Sequence, residues 1–465
     1  MPDSMAARVL IIIWNNLEDP LSQTVKQVHL MFDLLLDIHT TVHQTDDKVG
    51  TRESLLKMVN YLLRIGSRCK GRYVPLASLT RRLGANSLMD MSPNLLFEMA
   101  NAYIDDDVCY AVTSFIKCFL EILCDESWGS KGVDQGYARY REHCLPPFLY
   151  GLASGMWKLR SNLNTYNAVQ VLLELDVDSI FLLLAFISIG PSEEETKLNY
   201  TELSNMSMEL TVEQKVVVLV SLLKVCCTLA FLEGDIEQNG STDAFAVVQI
   251  KGIEWLKMAL THVDESVRVD AAETLFLNPK TASLPSPLEL YLMKEAVPLN
   301  MRSSSTGFQM KWTSLFRNFF FRFCMSLEKQ YKKGSRQPLK SDQNAVLRAD
   351  SLFKFMRWLS SFLYLSCYPS APYRRKIMAT ELIQIMIEVW PFVASKDPTS
   401  HQGHLYPYCD IVTVHDSTLL LVGSIVDSWD RLRENSFLFC FIFQLHLLAF
   451  QVKARPKTLF LGPNI

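Results

Sequence analysis

Several features that would settle a function class at once are missing from this sequence. No uncharged run reaches membrane-spanning length. The longest, Asn435–Val452, has 18 residues and contains Gln444, His446 and Gln451, whereas a spanning helix needs about 20 mostly apolar residues. The opening MPDSMAARVLIII has no basic segment, and its apolar run is too short for a secretory signal. These absences argue against membrane insertion and for a cytoplasmic protein. The 11 cysteines are odd in number and form no CxxC pair, which excludes a zinc ribbon and a regular disulfide framework. Cys118, Cys124, Cys226, Cys227 and Cys324 sit inside apolar helical runs, as buried reduced thiols do in a reducing compartment.

The usual catalytic signatures are absent too. There is no GxGxxG after a strand, no P-loop and no βαβ pattern, so a nucleotide or S-adenosylmethionine pocket is not expected. His39 and His43 are spaced like half a zinc site, but Thr-Thr-Val separates them. His401, His404 and Cys409 are spaced loosely in a polar loop. A metal site needs three or four convergent ligands, and neither group supplies them. The glycines Gly151 and Gly155 read as close helix packing. The expectation is a protein with no cofactor, no metal and no catalytic residue of its own.

What the chain does have is helical rhythm. Val28, Met31, Leu35, Ile38 and Val42 step by three and four. So do Val108, Val112, Phe115, Phe119 and Ile122. Val216, Val220, Leu223, Cys227 and Ala230 repeat the pattern, as do Leu352, Phe355, Leu359 and Phe362. Each set forms one apolar stripe along a helix. Asp105, Asp106 and Asp107 mark a helix start. Turn residues cluster at Asp125–Gly136, Gly190–Thr196, Gly234–Thr242, Asn278–Pro287, Lys332–Asn344 and Ser395–Tyr408. At 465 residues the chain exceeds one ordinary core.

The segment WLKMALTHVDESVRVDAAETLFL over 255–277 shows how that length is organised. It reads as two short helices joined at Val263–Asp264, with Asp264 capping the second. Arg268, Asp270 and the small pair Ala271–Ala272 follow. This order resembles a HEAT repeat, a helix pair that buries its apolar face only by stacking on neighbours. Asp264 and Arg268 are placed to tie successive turns together. A second such segment is DSWDRLRENSF, with Asp430 and Arg433. Asp430 lies 166 residues beyond Asp264, about four units of ~40–47 residues. The fold expected is all-α, an α-solenoid of HEAT/armadillo-like repeats over 1–435. Residues 436–465 form an atypical apolar tail that reads as a truncated or substituted end.

Charge is unevenly spread. Arg302 through Lys376 holds 15 Lys or Arg and 3 acidic residues, while the whole chain carries −3. Such asymmetry points to a polyanion or an acidic partner. A helix from about Thr306 to Lys332 carries an apolar face of Phe308, Trp312, Leu315, Phe319 and Phe323. Beside it, Lys311, Arg322, Lys329 and Lys333 fall within roughly 40° of one another at helical pitch. Arg317, Lys332 and Arg336 add to this basic character, and Phe320 and Phe321 fall off the main apolar face. One reading is contact with an RNA backbone, with a ring free to stack on a base. The other is a solvated helix face whose phenylalanines are covered by the next repeat. Arg374, Arg375 and Lys376 make a second basic spot at the start of the following helix.

The run VRVDAAETLFLNPKTASLPSPLELYLMKEAVPLN, then SSSTGFQMKWTSLFRNFFFRF and DSWDRLRENSF, resembles the thyroid adenoma-associated protein (THADA) family, best over 250–437. The resemblance implies a segment of a very long α-solenoid with an accessory role. Such a subunit would bind and orient tRNA while a separate Rossmann-type, S-adenosylmethionine-dependent methyltransferase modifies a ribose 2′-hydroxyl in the anticodon loop. The family's Arg-Arg-Ser-Ala-Gly-(Leu/Ile)-Pro run does not occur here. The alternative is a HEAT-repeat scaffold that binds a protein partner through its basic surface.

Overall fold

The computed structural model describes residues 3–42, 48–128, 133–180, 183, 210–228, 255–276, 284–303, 305–330, 343–389 and 422–438. Among these residues every regular element is helical and none is a strand. The chain divides into two compact units, Met1–Leu229 and Ala230–Ile465. The helical region expected over 1–435 is shared between them.

The first unit comprises α1 (Asp3–Asn15), α2 (Ser22–Val42), α3 (Lys48–Ile65), α4 (Tyr73–Leu83), α5 (Ala85–Met91), α6 (Leu95–Ala102), α7 (Asp106–Trp128), α8 (Val133–Ala153), α9 (Trp157–Thr165), α10 (Ala168–Leu175) and α11 (Val212–Thr228). Helices α2, α4, α7 and α10 lie side by side in one row, and α6, α8 and α11 form a second row against it. Two stacked rows are how helical repeats bury their apolar stripes. The acidic run does start α7: the Asp105 carboxylate accepts the Asp107 N–H at 2.9 Å. Val108, Val112, Phe115 and Phe119 are buried as expected.

In α2 the stripe is rotated from the expected one. Val28 and Leu35 are buried, but Met31 and Ile38 are exposed and Phe32 and Leu36 take their places in the core. Trp14 of α1 decides this by packing on Phe32 with ring centroids 5.6 Å apart. Because α2 is also apolar at Leu30 and Leu34, its spacing alone allows more than one frame. The expected break at Asp125–Gly136 shrinks to the few residues between α7 and α8. Gly151 does mark close helix packing, since a Cβ there would come within 2.7 Å of Leu163 on α9. Gly155 faces open space.

The second unit holds a helical segment at 255–260, then α12 (Glu265–Phe276), α13 (Pro287–Asn300), α14 (Thr306–Gln330), α15 (Gln343–Leu365) and α16 (Tyr373–Val389), with a further helix at 430–438. Its rows are α12–α14–α16 and α13–α15. The face of α14 predicted to be apolar is buried throughout, at Phe308, Trp312, Leu315, Phe319 and Phe323. The breaks at Gly190–Thr196, Gly234–Thr242 and Ser395–Tyr408 lie outside the described residues, as does most of the 436–465 tail.

One device recurs at the turns. A long side chain near the start of a helix reaches back to a carbonyl of the turn before it. Arg160 donates to Ser154 at 2.5 Å, Arg268 to His262 at 2.6 Å and Gln309 to Ser303 at 3.0 Å. Lys376 does the same with Pro369 at 2.7 Å. Each satisfies a carbonyl that no helix ladder can use.

Candidate nucleic-acid interface

The turn at Val263–Asp264 is built as the repeat signature predicts. Asp264 Oδ1 accepts the Ser266 N–H at 2.9 Å and its hydroxyl at 2.7 Å, which caps α12. Arg268 also donates to the Val263 carbonyl at 3.2 Å and, through Nε, to Asn300 Oδ1 at 2.7 Å. Its guanidinium lies 3.5 Å from Glu265 and 5.1 Å from the Phe308 ring centroid. Buried Asn300 in turn donates to the carbonyls of Leu260 at 3.2 Å and Ala296 at 2.9 Å. One arginine thus joins the 255–260 segment, α12, the end of α13 and the start of α14. Burial lowers its pKa, an effect that Glu265 and Asp264 oppose, and an arginine so placed keeps its charge. Asp270 sits half-buried within α12.

The second signature is built differently. Asp430 is the first residue of the 430–438 helix, and its carboxylate pairs with Arg433 on the surface. The turn acid is Asp427, whose Oδ1 accepts the Trp429 N–H at 3.3 Å. Asp427 Oδ2 accepts from Lys376 Nζ at 2.6 Å, with both side chains largely buried. This hydrogen bond holds the Asp427 carboxyl below its ordinary pKa, against the opposing effect of burial. Lys376 is therefore committed within the fold, and the Arg374–Lys376 spot is not a set of three free cations. Arg375 donates from Nε to the Ser366 hydroxyl at 3.1 Å.

The basic line expected on α14 is broken at Arg322. That side chain is 2 % exposed. It donates to the Phe276 carbonyl and lies 3.4 Å from Glu289 Oε1. Glu289 is itself fully buried because its other oxygen accepts the Ser286 N–H at 2.6 Å, completing a capping box at the start of α13. A carboxylate sealed in that way needs a countercharge, since an unpaired buried charge is very costly. Arg322 supplies it and so faces inward. Phe320 is likewise buried, packed at 5.6 Å on Phe316, whereas Phe321 is 58 % exposed. The Ser-x-x-Glu spacing of Ser286 and Glu289 was a readable sign of this cap.

Lys311 and Lys329 do stand on the exposed face of α14. They are five helical turns apart on one line, about 27 Å along the axis. Arg317 lies between them and pairs with Glu388 of α16 at 2.9 Å, with its side chain about half exposed. Lys332, Lys333 and Arg336 lie outside the described residues. His39 lies in the last turn of α2, whereas His43, His401, His404 and Cys409 fall outside the described residues, among which no His, Cys, Asp or Glu group converges as a metal site. No helix among the described residues is long and apolar enough to cross a membrane.

Comparison with known proteins places these elements in a family. The family model of Trm732, TPR repeats, matches residues 171–434, more than half of the chain. A curated relative named tRNA (32-2'-O)-methyltransferase regulator THADA, from Homo sapiens, is 20% identical over 398 residues, covering 83% of this chain and 20% of that protein. The protein of the same name from Gallus gallus is 21% identical over 396 residues, covering 83% of this chain and 19% of the relative. The chain spans about a fifth of the length of these curated relatives. No solved structure matches it. With its paired helix rows, its capped repeat turn at Asp264–Arg268 and a family match running from α10 into the 430–438 helix, the chain belongs to the Trm732/THADA family of helical-repeat proteins.

Proposed function

We propose that this chain is part of a regulator that carries out no chemistry itself. It binds tRNA and orients the anticodon loop for ribose 2′-O-methylation by a separate, S-adenosylmethionine-dependent methyltransferase of Rossmann type. The observation that carries the RNA contact is the spacing of Lys311 and Lys329 along the exposed face of α14, inside the matched region. Two cations on one line about 27 Å apart can meet phosphates at both ends of a short helical stem. The name of these relatives, a methyltransferase regulator, supports an accessory role.

Filter binding of tRNA at several salt concentrations tests the reading. Each phosphate contact removed lowers the steepness of log K against log salt by about 0.9 or slightly less. The double variant Lys311→Glu, Lys329→Glu is expected to weaken binding and flatten the slope by about 2. An unchanged slope would remove α14 from the interface.

One observation favours a protein-binding scaffold instead. Met310 and Phe321 are 68% and 58% exposed beside the same lysines, and exposed apolar side chains of that size are common anchors for protein partners. Pull-down after RNase treatment separates the two. Partners that persist without RNA and are lost with Phe321→Ala favour the scaffold.

A further inference from the structure

A second surface of the same unit combines rings and cations in alternation. Lys257 Nζ lies 5.3 Å from the Tyr291 ring centroid. Tyr291 and Lys294 are neighbours at i, i+3 on α13. Lys294 Nζ lies 5.5 Å from the Trp358 ring on α15. Trp358 stacks on Phe362 with centroids 5.6 Å apart and planes at 15°. The Arg375 guanidinium lies 5.3 Å from that phenylalanine ring. The series crosses the 255–260 segment, α13, α15 and the start of α16 without a break, and no member is buried. It draws on the α13–α15 row, whereas Lys311 and Lys329 stand on α14 of the other row.

We propose that this ladder is a binding surface for single-stranded RNA. An unpaired base would stack on Tyr291, its neighbours would lie along the edges of the stacked Trp358–Phe362 pair, and the intervening phosphates would meet Lys257, Lys294 and the guanidinium N–H groups of Arg375 other than the Nε–H given to Ser366. The chemistry of the ladder favours that occupant over a protein. Its six members are three cations and three rings interleaved along the surface. A stripe of this composition complements a polyanion whose planar groups repeat with its charges. The cation–ring contacts also hold each ring in place in advance, which lowers the entropy lost on binding. A duplex keeps its bases stacked inside and offers the rings little, so the surface selects loops and unpaired ends. The inference rests on the tRNA reading above and deepens it: α14 would hold paired stem, and the ladder would hold loop.

The test uses the full chain and two labelled RNAs, a hairpin with a loop the size of an anticodon loop and a blunt duplex of the same stem, read by fluorescence anisotropy. Tyr291→Ala is expected to lower hairpin affinity about tenfold, the loss of one base stack, and to leave duplex affinity unchanged. Tyr291→Phe keeps the ring and should restore hairpin binding. Lys294→Glu, an exposed change that spares the core, should weaken the hairpin more than the duplex. Two results would overturn the ladder. If both RNAs bind and Tyr291→Ala alters neither, the tRNA reading stands and the ladder falls. If Tyr291→Ala instead abolishes capture of a protein partner while RNA affinity is unchanged, the surface belongs to that protein. If the wild-type chain binds neither RNA, the tRNA reading fails first.

Discussion

Arg268 shows how much one side chain can hold. It is charged, largely buried, and bonded to two turn carbonyls and to Asn300. Arg268→Ala removes charged hydrogen bonds that contribute about 2 kcal/mol, and it strands the Asn300 Oδ1 acceptor. Urea unfolding followed by circular dichroism should show the loss, with amide exchange quickening first in α12 and at the end of α13. The Lys376–Asp427 pair makes a second, pH-dependent case. The Asp427 pKa is lower in the folded state than in the unfolded chain, so the unfolded state binds its proton first as the solution is acidified. The pair's stabilisation is complete above the ordinary carboxylate range and drains away as pH falls through the depressed value. Melting temperatures across pH 7 to about pH 2.5, spanning that carboxylate range, should fall less steeply for Asp427→Asn than for wild type. Asp427→Ala leaves Lys376 buried without its countercharge and should cost about 3 kcal/mol at neutral pH.

At the scale of elements, caps and stripes were the legible part. Asp264, Asp105 and the buried face of α14 could be read because each follows from spacing and a local hydrogen bond. The α2 stripe could not, because α2 is apolar in more than one frame and the choice belongs to Trp14 on another helix. Arg322 was misread for a related reason. Its angular position on α14 borders the core, and it turns inward toward Glu289 and the Phe276 carbonyl, 33 and 46 residues away. Linear spacing contains no such term. Helix α13 supplies a direct test, since Ser286 caps it and Glu289 completes the box. Ser286→Ala should lower stability by about 1 kcal/mol. Glu289→Gln should cost more, because the amide can still reach the Ser286 N–H but removes the negative charge that lies 3.4 Å from buried Arg322. Comparing the two denaturation midpoints separates the cap from the ion pair.

For the molecule as a whole, the all-α repeat architecture followed from helical rhythm together with the HEAT-like segment at 255–277, while its division into two compact units did not. A helical period shows which face of a helix is apolar, and it does not show which helices cluster together. The functional proposal also belongs to this scale. With labelled S-adenosylmethionine and tRNA, the chain alone should transfer no methyl group, and label in the RNA should require a partner methyltransferase. Transfer by the purified chain would overturn the accessory role. The side chains that reach back across the turns bear on that role in another way. They set the angle at which each helix leaves its turn, so the row behaves as a lever with fixed joints. Slackening one joint by a few degrees swings every later helix in the row, an effect separate from the stability that is lost with the bond. Under the proposed function, activity can therefore be lost in proteins that remain folded but misaimed, through changes at residues far from the proposed RNA contacts.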